Sequence, residues 1–211
     1  MSAVFTALAT SVDGYITGPD PSPDQPLGRG GNVLFDWYGD GDTPSREFPS
    51  FRLSTASADV FDHAAARVGA VIAGRTTYDH SGGWGGGGPH PTAALVVLSH
   101  RPAPAGAGHQ TFVATGIADA IAAARDIAGD RDVALMGSGM IRAALDAGLL
   151  DEVIIHQVPV LLGAGTSLFQ PRATPVGLRL RSVVPAPGVT HLHYDIEHGN
   201  RGISHPKTIT K

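Results

Sequence analysis

The fold prediction starts from eight consecutive residues, Ala70-Val71-Ile72-Ala73-Gly74-Arg75-Thr76-Thr77. Residues 70–73 are all apolar and do not alternate with polar ones, which indicates a strand that is buried on both faces. A turn of small and polar residues follows at once. The same order of strand and turn recurs at 94–101 and at 133–140. Because helical segments separate these strands, the sequence predicts an α/β fold with a mainly parallel sheet.

Helical spacing and turn residues place the other elements around these strands. A helix is predicted over 58–67, with Ser57 as its N-terminal cap and Gly69 as its end. The remaining predicted elements are helices at 117–128 and 138–148, a short helix at 33–38, strands at 4–12, 111–114 and 151–158, and an antiparallel hairpin formed by 178–184 and 190–197.

The composition excludes several classes of protein. Apolar residues make up 42% of the 211 residues, which suffices to bury a core despite 28 Gly and 16 Pro. A net charge of -4 is unlike the basic footprint of a nucleic-acid-binding protein. The absence of cysteine excludes disulfides, thiolate metal sites and cysteine nucleophiles. Because no apolar stretch is long enough to span a membrane and residues 1–9 show no signal-peptide pattern, we expect a cytoplasmic protein without a membrane partner.

The turns that follow the three buried strands indicate a ligand site. In an open parallel sheet, ligands bind at the carboxyl ends of the strands, where helix N-termini present free N–H groups to phosphate. Arg75, His100 and Arg101 add positive charge and hydrogen-bond donors to these turns. Each turn alone is explained more simply by residues that end strands and cap helices. The three together, two of them with cationic residues, favour an anionic ligand.

Other motifs of ligand or metal binding are missing or weak. Gly137-Ser-Gly-Met-Ile-Arg142 resembles a Rossmann fingerprint, but Arg142 stands where that motif needs Gly or Ala. The sequence has no P-loop, no His-Glu-x-x-His pair and no Gly-x-Ser-x-Gly elbow. His191 and His193 share one face of a strand and could chelate a metal, but an exposed strand face is the favoured interpretation. We therefore predict no metal site.

Three further features bear on catalysis. Asp59 is the candidate catalytic acid, although a helix N-terminal aspartate stabilised by the helix dipole is the simpler explanation. The Gly-rich run 82–88 is expected to be a flexible linker or a lid over a site. The long irregular segment 17–53 is expected to help shape a substrate pocket.

Several segments in combination resemble a known family. They are Ser11-Val-Asp-Gly-Tyr-Ile16, Gly74-Arg-Thr-Thr-Tyr-Asp79, Met136-Gly-Ser-Gly-Met-Ile141, Asp151-Glu-Val153 with Pro159-Val-Leu-Leu-Gly-Ala-Gly-Thr-Ser-Leu-Phe169, and Pro187-Gly-Val-Thr-His-Leu-His-Tyr194. With them the chain resembles the dihydrofolate reductase-like proteins, which are related to the reductase domain of the bacterial bifunctional riboflavin-biosynthesis deaminase-reductase. The resemblance covers residues 1–198, and residues 199–211 are expected to form a loose tail.

The resemblance implies a fold, a cofactor and an assembly. The implied fold has three layers, with a mixed and mainly parallel sheet of about eight strands, helices on both faces and a C-terminal antiparallel hairpin. The implied cofactor is NADPH. The implied assembly is a homodimer, to which the apolar strand 153–162 could contribute.

The resemblance also assigns roles to individual residues. Those implied to contact the cofactor are Ala9 and Ile16 beside the nicotinamide, Gly74, Arg75, Thr76 and Thr77 at the pyrophosphate and 2′-phosphate, Leu98, Ser99, His100 and Arg101 beside the adenosine and its 2′-phosphate, and Gly137, Ser138, Gly139, Met140 and Ile141 at the pyrophosphate and nicotinamide ribose. Two functions remain open. One is an NADPH-dependent reductase that transfers a hydride to a small planar heterocycle or imine of the pterin or pyrimidine kind. The other is a non-catalytic nucleotide-binding protein that kept the reductase fold.

Overall fold

An eight-stranded sheet forms the centre of the molecule, which a computed structural model describes over residues 2–198. The strand order across the sheet is β6-β5-β4-β7-β1-β8-β10-β9, and β2 pairs with β3 in a separate two-stranded ribbon. The strands are β1 (Val4–Ser11), β2 (Thr43–Pro44), β3 (Arg52–Leu53), β4 (Val68–Gly74), β5 (Ala94–Leu98), β6 (Thr111–Val113), β7 (Asp132–Met136), β8 (Glu152–Val158), β9 (Leu178–Ala186) and β10 (Val189–Ile196).

The sheet is parallel from β6 through to β8 and antiparallel beyond it. Each pair from β6-β5 to β1-β8 is parallel, whereas β10 runs antiparallel to both β8 and β9. The register places Ala9 opposite His156 on one side and His191 opposite the same His156 on the other. The predicted mixed sheet with a C-terminal hairpin is confirmed.

Helices cover both faces of this sheet. They are α1 (Thr55–Ala66), α2 (Arg75–His80), α3 (Ile117–Ala128) and α4 (Ser138–Asp146), with 3-10 helices at Gly31–Tyr38 and Gly82–Gly86. Ile72 packs in one core cluster with Ile121 of α3 and Ile141 of α4. Its neighbour Val71 packs in a second cluster with Ala64 of α1. Because successive strand residues point to opposite faces, these two clusters lie on either side of the sheet and give the three layers.

Two predicted boundaries around α1 are wrong. The helix is capped by Ser54, whose side chain accepts a hydrogen bond from the backbone N–H of Ser57, so Ser57 lies inside the helix and is buried. Gly69 does not end α1 but lies within β4. A Cβ at Gly69 would lie 2.6 Å from the Cβ of Ala128, so the glycine allows α3 to approach the sheet closely.

Two further predictions concern membrane-spanning helices and the C-terminal tail. Among residues 2–198, no helix has the length and apolar character that a membrane crossing requires. The predicted loose tail, 199–211, lies outside the described residues.

Candidate functional site

A cavity of about 590 Å³ opens at the carboxyl ends of the parallel strands. We call it the strand-end cavity. It receives residues from the ends of β1, β4, β5 and β7 and from the turns that follow them, which is where ligands bind in open parallel sheets. The residues that line it are Leu8, Ala9, Ile16, Thr17, Pro21, Pro26, Leu27, Phe35, Gly74, Arg75, Thr76, Thr77, His80, Ser81, Trp84, Leu98, Met136, Gly137, Ser138, Gly139, Met140, Thr166 and Gln170.

The floor of the strand-end cavity is formed by backbone that no side chain covers. Helix α4 begins there after Gly137, which has a φ of 93° and supplies no side-chain cap. A Cβ at Gly137 would lie 2.9 Å from Thr77 Oγ1, so both the conformation and the space favour glycine. The first N–H groups of α4 therefore face the cavity together with the positive end of the helix dipole, as a phosphate requires.

Two arginines bind one carboxylate at the rim of this cavity. Arg75 Nε donates to Asp79 Oδ1 at 2.8 Å, and Arg101 Nη2 donates to Asp79 Oδ2 at 2.7 Å. Burial by itself raises the pKa of the Asp79 carboxyl, but the hydrogen bonds and charges of the two arginines outweigh it and hold the pKa below its usual range. The Arg75–Asp79–Arg101 group thus keeps one positive charge in excess.

Most of the residues that the sequence predicts at the cofactor line this cavity. Ser99 lies beside it and holds the following turn, since its Oγ accepts from the backbone N–H of Arg101 at 3.0 Å. His100 is exposed and does not line the cavity. Ile141 is fully buried, and its side chain packs in the core cluster beneath α4. The structure therefore brings the three predicted turns together, but Ser99, His100, Arg101 and Ile141 do not line the cavity.

A second cavity of about 420 Å³, which we call the aromatic cavity, lies against the α1 face of the sheet. It shares Leu8, Phe35, Trp84 and Met136 with the strand-end cavity, so the two adjoin. Its complete lining is Phe5, Ala7, Leu8, Phe35, Tyr38, Phe48, Phe51, Phe61, Ala64, Ala65, Val68, Val71, Trp84, Pro89, His90, Ala134, Leu135, Met136 and His156. Its titratable side chains are one tyrosine and two histidines.

Stacked rings form part of the wall of the aromatic cavity. The rings of Tyr38 and Phe51 stack with centroids 4.4 Å apart, and those of Phe48 and Phe51 stack at 5.1 Å. Burial raises the pKa of the Tyr38 phenol well above its ordinary value, so the group stays neutral. All three rings come from the irregular segment 17–53, which thereby shapes the cavity.

A buried pair of histidines lies beneath the aromatic cavity. His156 Nδ1 and His191 Nδ1 are 2.7 Å apart, and His191 Nε2 lies 3.0 Å from Ser57 Oγ. Burial and the neighbouring His191 lower the pKa of His156 to about 3, and burial lowers the pKa of His191 to about 4. Both rings are therefore neutral at physiological pH. The predicted exposed strand face is wrong for His191, because α1 covers it through Ser57.

The sequence of the chain matches a known family. The model of the RibD C-terminal domain matches residues 2–192. The chain belongs to the RibD C-terminal domain family.

Two other proteins are similar to the chain over most of its length. The chain is 26% identical to an uncharacterized protein, YwjB, of Bacillus subtilis strain 168 over 187 residues, or 89% of this chain and 94% of the relative. A crystal structure of a Shewanella sp. PV-4 protein provisionally assigned to riboflavin biosynthesis has a TM-score of 0.67 at 24% identity, covering 92% of this chain and 99% of that one.

More distant structures share the fold. A pyrimidine reductase-like protein from Corynebacterium diphtheriae has a TM-score of 0.59 at 14% identity, over 94% of this chain and 93% of that one. RibD of Acinetobacter baumannii has a TM-score of 0.60 at 17% identity, over 93% of this chain but only 58% of its own. The fold predicted from the sequence is thus shared with RibD-like proteins.

The Gly-rich run of this RibD C-terminal domain forms a tight turn between the two cavities. Gly82, Gly83, Trp84 and Gly85 all have φ between 49° and 62°, so the chain turns in the left-handed sense. Gln110 Nε2 donates to the carbonyl oxygens of Gly83 at 2.8 Å and Gly87 at 2.6 Å. Trp84 lines both cavities as a result. The expectation of a flexible linker misses these contacts, which fix the turn.

A charged network lies on the sheet close to the hairpin of this RibD C-terminal domain. Glu152, His193 and Asp195 place ligand atoms within 4.8 Å of one another. Arg67 Nη2 binds Glu152 Oε2 at 2.8 Å, and Arg181 pairs with both Glu152 and Asp195. Burial raises the pKa of Glu152, but the hydrogen bonds of His193 and Arg67 and the charges of both arginines lower it to about 2. The arginines satisfy these carboxylates, so we interpret the cluster as an ion-pair network.

The structure does not bring Asp59 to either cavity. It lies on α1 with its side chain exposed, and the residues that line the two cavities do not include it. Two residues that line a cavity, His156 and Gln170, are not indicated by any sequence motif, and Trp84 is indicated only as part of the run 82–88. His156 stands in an apolar strand where burial was expected but no partner could be named, and Gln170 lies in a loop without periodicity.

Proposed function

We propose that this chain is an NADPH-dependent reductase that transfers a hydride to a small planar heterocycle or imine of the pterin or pyrimidine kind. The observation that carries the proposal is the shared wall between a strand-end cavity suited to a dinucleotide and an aromatic cavity suited to a flat ring. Membership of the RibD C-terminal domain family supports it, and the resemblance stated above implies the cofactor. A structural neighbour is named a pyrimidine reductase-like protein, which favours a nitrogen heterocycle as substrate.

The residues of the strand-end cavity fit NADPH at its charged end. The N-terminus of α4 at Gly137 to Met140 and the hydroxyls of Thr76 and Thr77 would hold the pyrophosphate. Arg75 and Arg101 would bind the 2′-phosphate, with Asp79 holding their guanidinium groups side by side until it arrives. This arrangement orients two charges before binding, which reduces the ordering required when the cofactor enters.

The apolar end of the strand-end cavity would position the nicotinamide. Ala9 and Ile16 would pack beside the ring, and Leu8 and Met136 lie where the two cavities meet. When bound, NADPH supplies the hydride. The protein's part is to hold the nicotinamide against the aromatic cavity and to exclude water from between the two rings. The exposed position of Asp59 makes solvent the simpler source of the proton.

A cofactor titration tests the first half of the proposal. Arg75→Ala should weaken NADPH about ten-fold or more, because a charge-assisted hydrogen bond contributes about 1.5–3 kcal/mol, and should weaken NADH much less. Arg179→Ala, at an exposed arginine on β9, is the matched control and should leave both affinities unchanged. Equal losses for NADPH and NADH would show that Arg75 does not bind the 2′-phosphate.

A turnover screen tests the second half and separates the two functions that the sequence left open. NADPH oxidation is followed at saturating cofactor with panels of pterins, pyrimidinones and cyclic imines. Oxidation coupled to one panel member supports the reductase. Tight NADPH binding with no oxidation by any member would instead support a nucleotide-binding protein that kept the fold.

We also propose that the chain forms a homodimer in the cytoplasm. Strand β8 cannot form the interface, because it is buried between β1 and β10, although Leu161 beyond it is 73% exposed. The outer strand β9 exposes Leu178, Leu180 and Val183 and is the better candidate. Light scattering at micromolar concentration should give twice the chain mass of 21.7 kDa, and Leu180→Glu should lower it. A mass near that of one chain for the parent protein would contradict the dimer.

A further inference from the structure

We propose that the aromatic cavity takes an uncharged, planar aromatic compound without a phosphate group, oriented by a hydrogen bond from His156 Nε2–H to a carbonyl oxygen or ring nitrogen. This inference rests on the proposed function, since it names the class of substrate that would meet the nicotinamide. Three observations carry it: the charge of the cavity wall, the stacked rings, and a directed chain of hydrogen bonds that ends at His156.

The wall of the aromatic cavity offers an anion no counter-charge. None of its lining residues is Lys, Arg, Asp or Glu. The guanidinium of Arg67 lies 4.4 Å from the centroid of the Phe5 ring but already binds Asp132 and Glu152. A phosphate that entered here would lose its hydration without an ionic partner, which strongly disfavours binding. Uncharged ligands avoid this penalty.

The shape and size of the cavity suit a flat ring system. Phe48, Phe51 and Tyr38 form a continuous stack along one wall. The volume of about 420 Å³ lies within the range of small-molecule pockets. An aromatic ligand would bury its faces against these rings in the offset arrangements that aromatic pairs prefer.

A chain of hydrogen bonds fixes which nitrogen of His156 carries the proton. Ser57 N–H donates to Ser54 Oγ, and Ser54 Oγ donates to Ser57 Oγ at 3.0 Å. Ser57 Oγ is the acceptor in that bond, so its single hydrogen is free to be donated, and we infer that it is donated to His191 Nε2, 3.0 Å away. His191 then carries its own proton on Nδ1 and donates it to His156 Nδ1 at 2.7 Å. Since His156 is neutral and accepts at Nδ1, its proton lies on Nε2, and that nitrogen acts as a donor.

The other polar groups of the cavity are less suited to this role. Both nitrogens of His90 are used within the protein, because Nδ1 accepts from the backbone N–H groups of Thr92 and Ala93 and Nε2 lies 3.2 Å from the Ala65 carbonyl oxygen. The Tyr38 hydroxyl is the other candidate donor, and the experiment below includes it. An N–H donor selects ligands that present an acceptor, since a buried donor left unpaired is unfavourable.

Calorimetric binding of simple aromatic probes to the full chain tests the charge argument first, with an excess of inorganic pyrophosphate present to occupy the phosphate-binding groups of the strand-end cavity. We expect 1-naphthol to bind at least ten-fold more tightly than 1-naphthyl phosphate. Equal affinity, or tighter binding of the phosphate, would overturn the assignment of an uncharged substrate.

A second comparison tests His156 with probes that differ in their acceptors. Quinazolin-4-one presents a carbonyl oxygen and a ring nitrogen, whereas naphthalene presents neither. His156→Phe should weaken quinazolin-4-one about five- to ten-fold and change naphthalene less than two-fold, as expected for the loss of one hydrogen bond. His90→Phe is the matched control and should not discriminate between the two probes. An equal effect of His156→Phe on both probes, or a selective effect of Tyr38→Phe in its place, would overturn the role of His156.

A third variant covers the case in which His156→Phe does not fold. Ser57→Ala removes the hydroxyl that fixes the tautomer of His191 without touching the cavity wall. It should weaken quinazolin-4-one about three-fold and leave naphthalene unchanged, and no selective loss would contradict the directed chain. NADPH titration of the same variants distinguishes the proposed ligand of the aromatic cavity from the proposed reductase function. The affinity for NADPH should stay unchanged in all of these variants. A parent protein that discriminates between the probes but does not bind NADPH would refute the reductase alone.

Discussion

The two adjoining cavities are built from different parts of the chain. The strand-end cavity is floored by backbone at Gly74 and Gly137, and its positions follow from where parallel strands end. The aromatic cavity is walled by side chains such as Phe48 and His156, which come from a long loop and from the middle of a strand. A site made of backbone persists as long as the fold does, whereas a site made of side chains can change its ligand without any change of fold. The fold therefore accounts for the strand-end cavity more fully than for the aromatic cavity.

The largest effect should come from adding bulk to the backbone floor. A Cβ at Gly139 would have no heavy atom within 4 Å, so Gly139→Val fits within the protein but places its side chain beside the cavity. We expect NADPH affinity to fall about 100-fold, as for the loss of two charge-assisted hydrogen bonds, while quinazolin-4-one still binds the aromatic cavity. Calorimetry with each ligand separately measures both.

Two other valine variants help to interpret the effect of Gly139→Val. Ala122→Val, at an exposed position of α3 outside both cavities, places the same side chain on a helix surface and should leave NADPH affinity as it is. Gly137→Val is less informative, because the φ of 93° makes any side chain at Gly137 strained and would lower stability as well. If Gly139→Val binds NADPH like the parent, the cofactor does not lie on the N-terminus of α4.

Acid should lower the stability of the folded chain through the histidine pair beneath the aromatic cavity. The folded-state pKa values of His156 and His191 are lowered to about 3 and 4, against about 6.5 in the unfolded chain. The unfolded chain therefore binds more protons than the folded one below pH 6.5, and stability falls as the pH falls from 6.5 toward 4. Each ring should lower the free energy of unfolding by about 1.4 kcal/mol between pH 7.5 and 5.5.

Urea unfolding of the parent and of His156→Phe at those two pH values isolates this contribution. On acidification, the free energy of unfolding should fall less in the variant than in the parent, and the difference should equal the contribution of one histidine ring. Glu152 does not interfere, because its lowered pKa of about 2 makes its contribution constant above pH 5. His63→Gln, at an exposed position of α1, is the control, and a parent whose stability is the same at pH 7.5 and 5.5 would contradict the neutral buried pair.

The smallest effect on ligand affinity should come from a substitution that alters both cavities at once. Trp84 belongs to both walls, so Trp84→Ala should weaken NADPH and quinazolin-4-one alike, each by about three-fold for the loss of one partly buried aromatic contact. Fluorescence of the remaining tryptophan, Trp37, reports whether the core around it is intact. A loss confined to one ligand would show that the two cavities do not share this wall in solution.

The predictions from the sequence follow the same division. The strand-end turns at Gly74, Ser99 and Gly137 could be located because each follows a buried strand in the chain, and topology alone brings such turns together. The partners of His156 could not be named, because they depend on which face of β10 a distant helix covers. The start of α1 was misplaced because Ser54 and Ser57 are both competent caps, and only the structure shows which one has the extended backbone of a cap.

The left-handed turn at Gly82–Gly86 has a consequence for selection. Trp84 is the one side chain in residues 82–86, and it occupies a backbone conformation that disfavours any L-residue with a Cβ by about 1–2 kcal/mol. Glycine at that position would relieve the strain but would leave a gap between the two cavities. Selection for thermal stability and selection for an intact wall between the two cavities should therefore prefer different residues at position 84. Trp84 marks a position where this chain gives up stability to keep that wall.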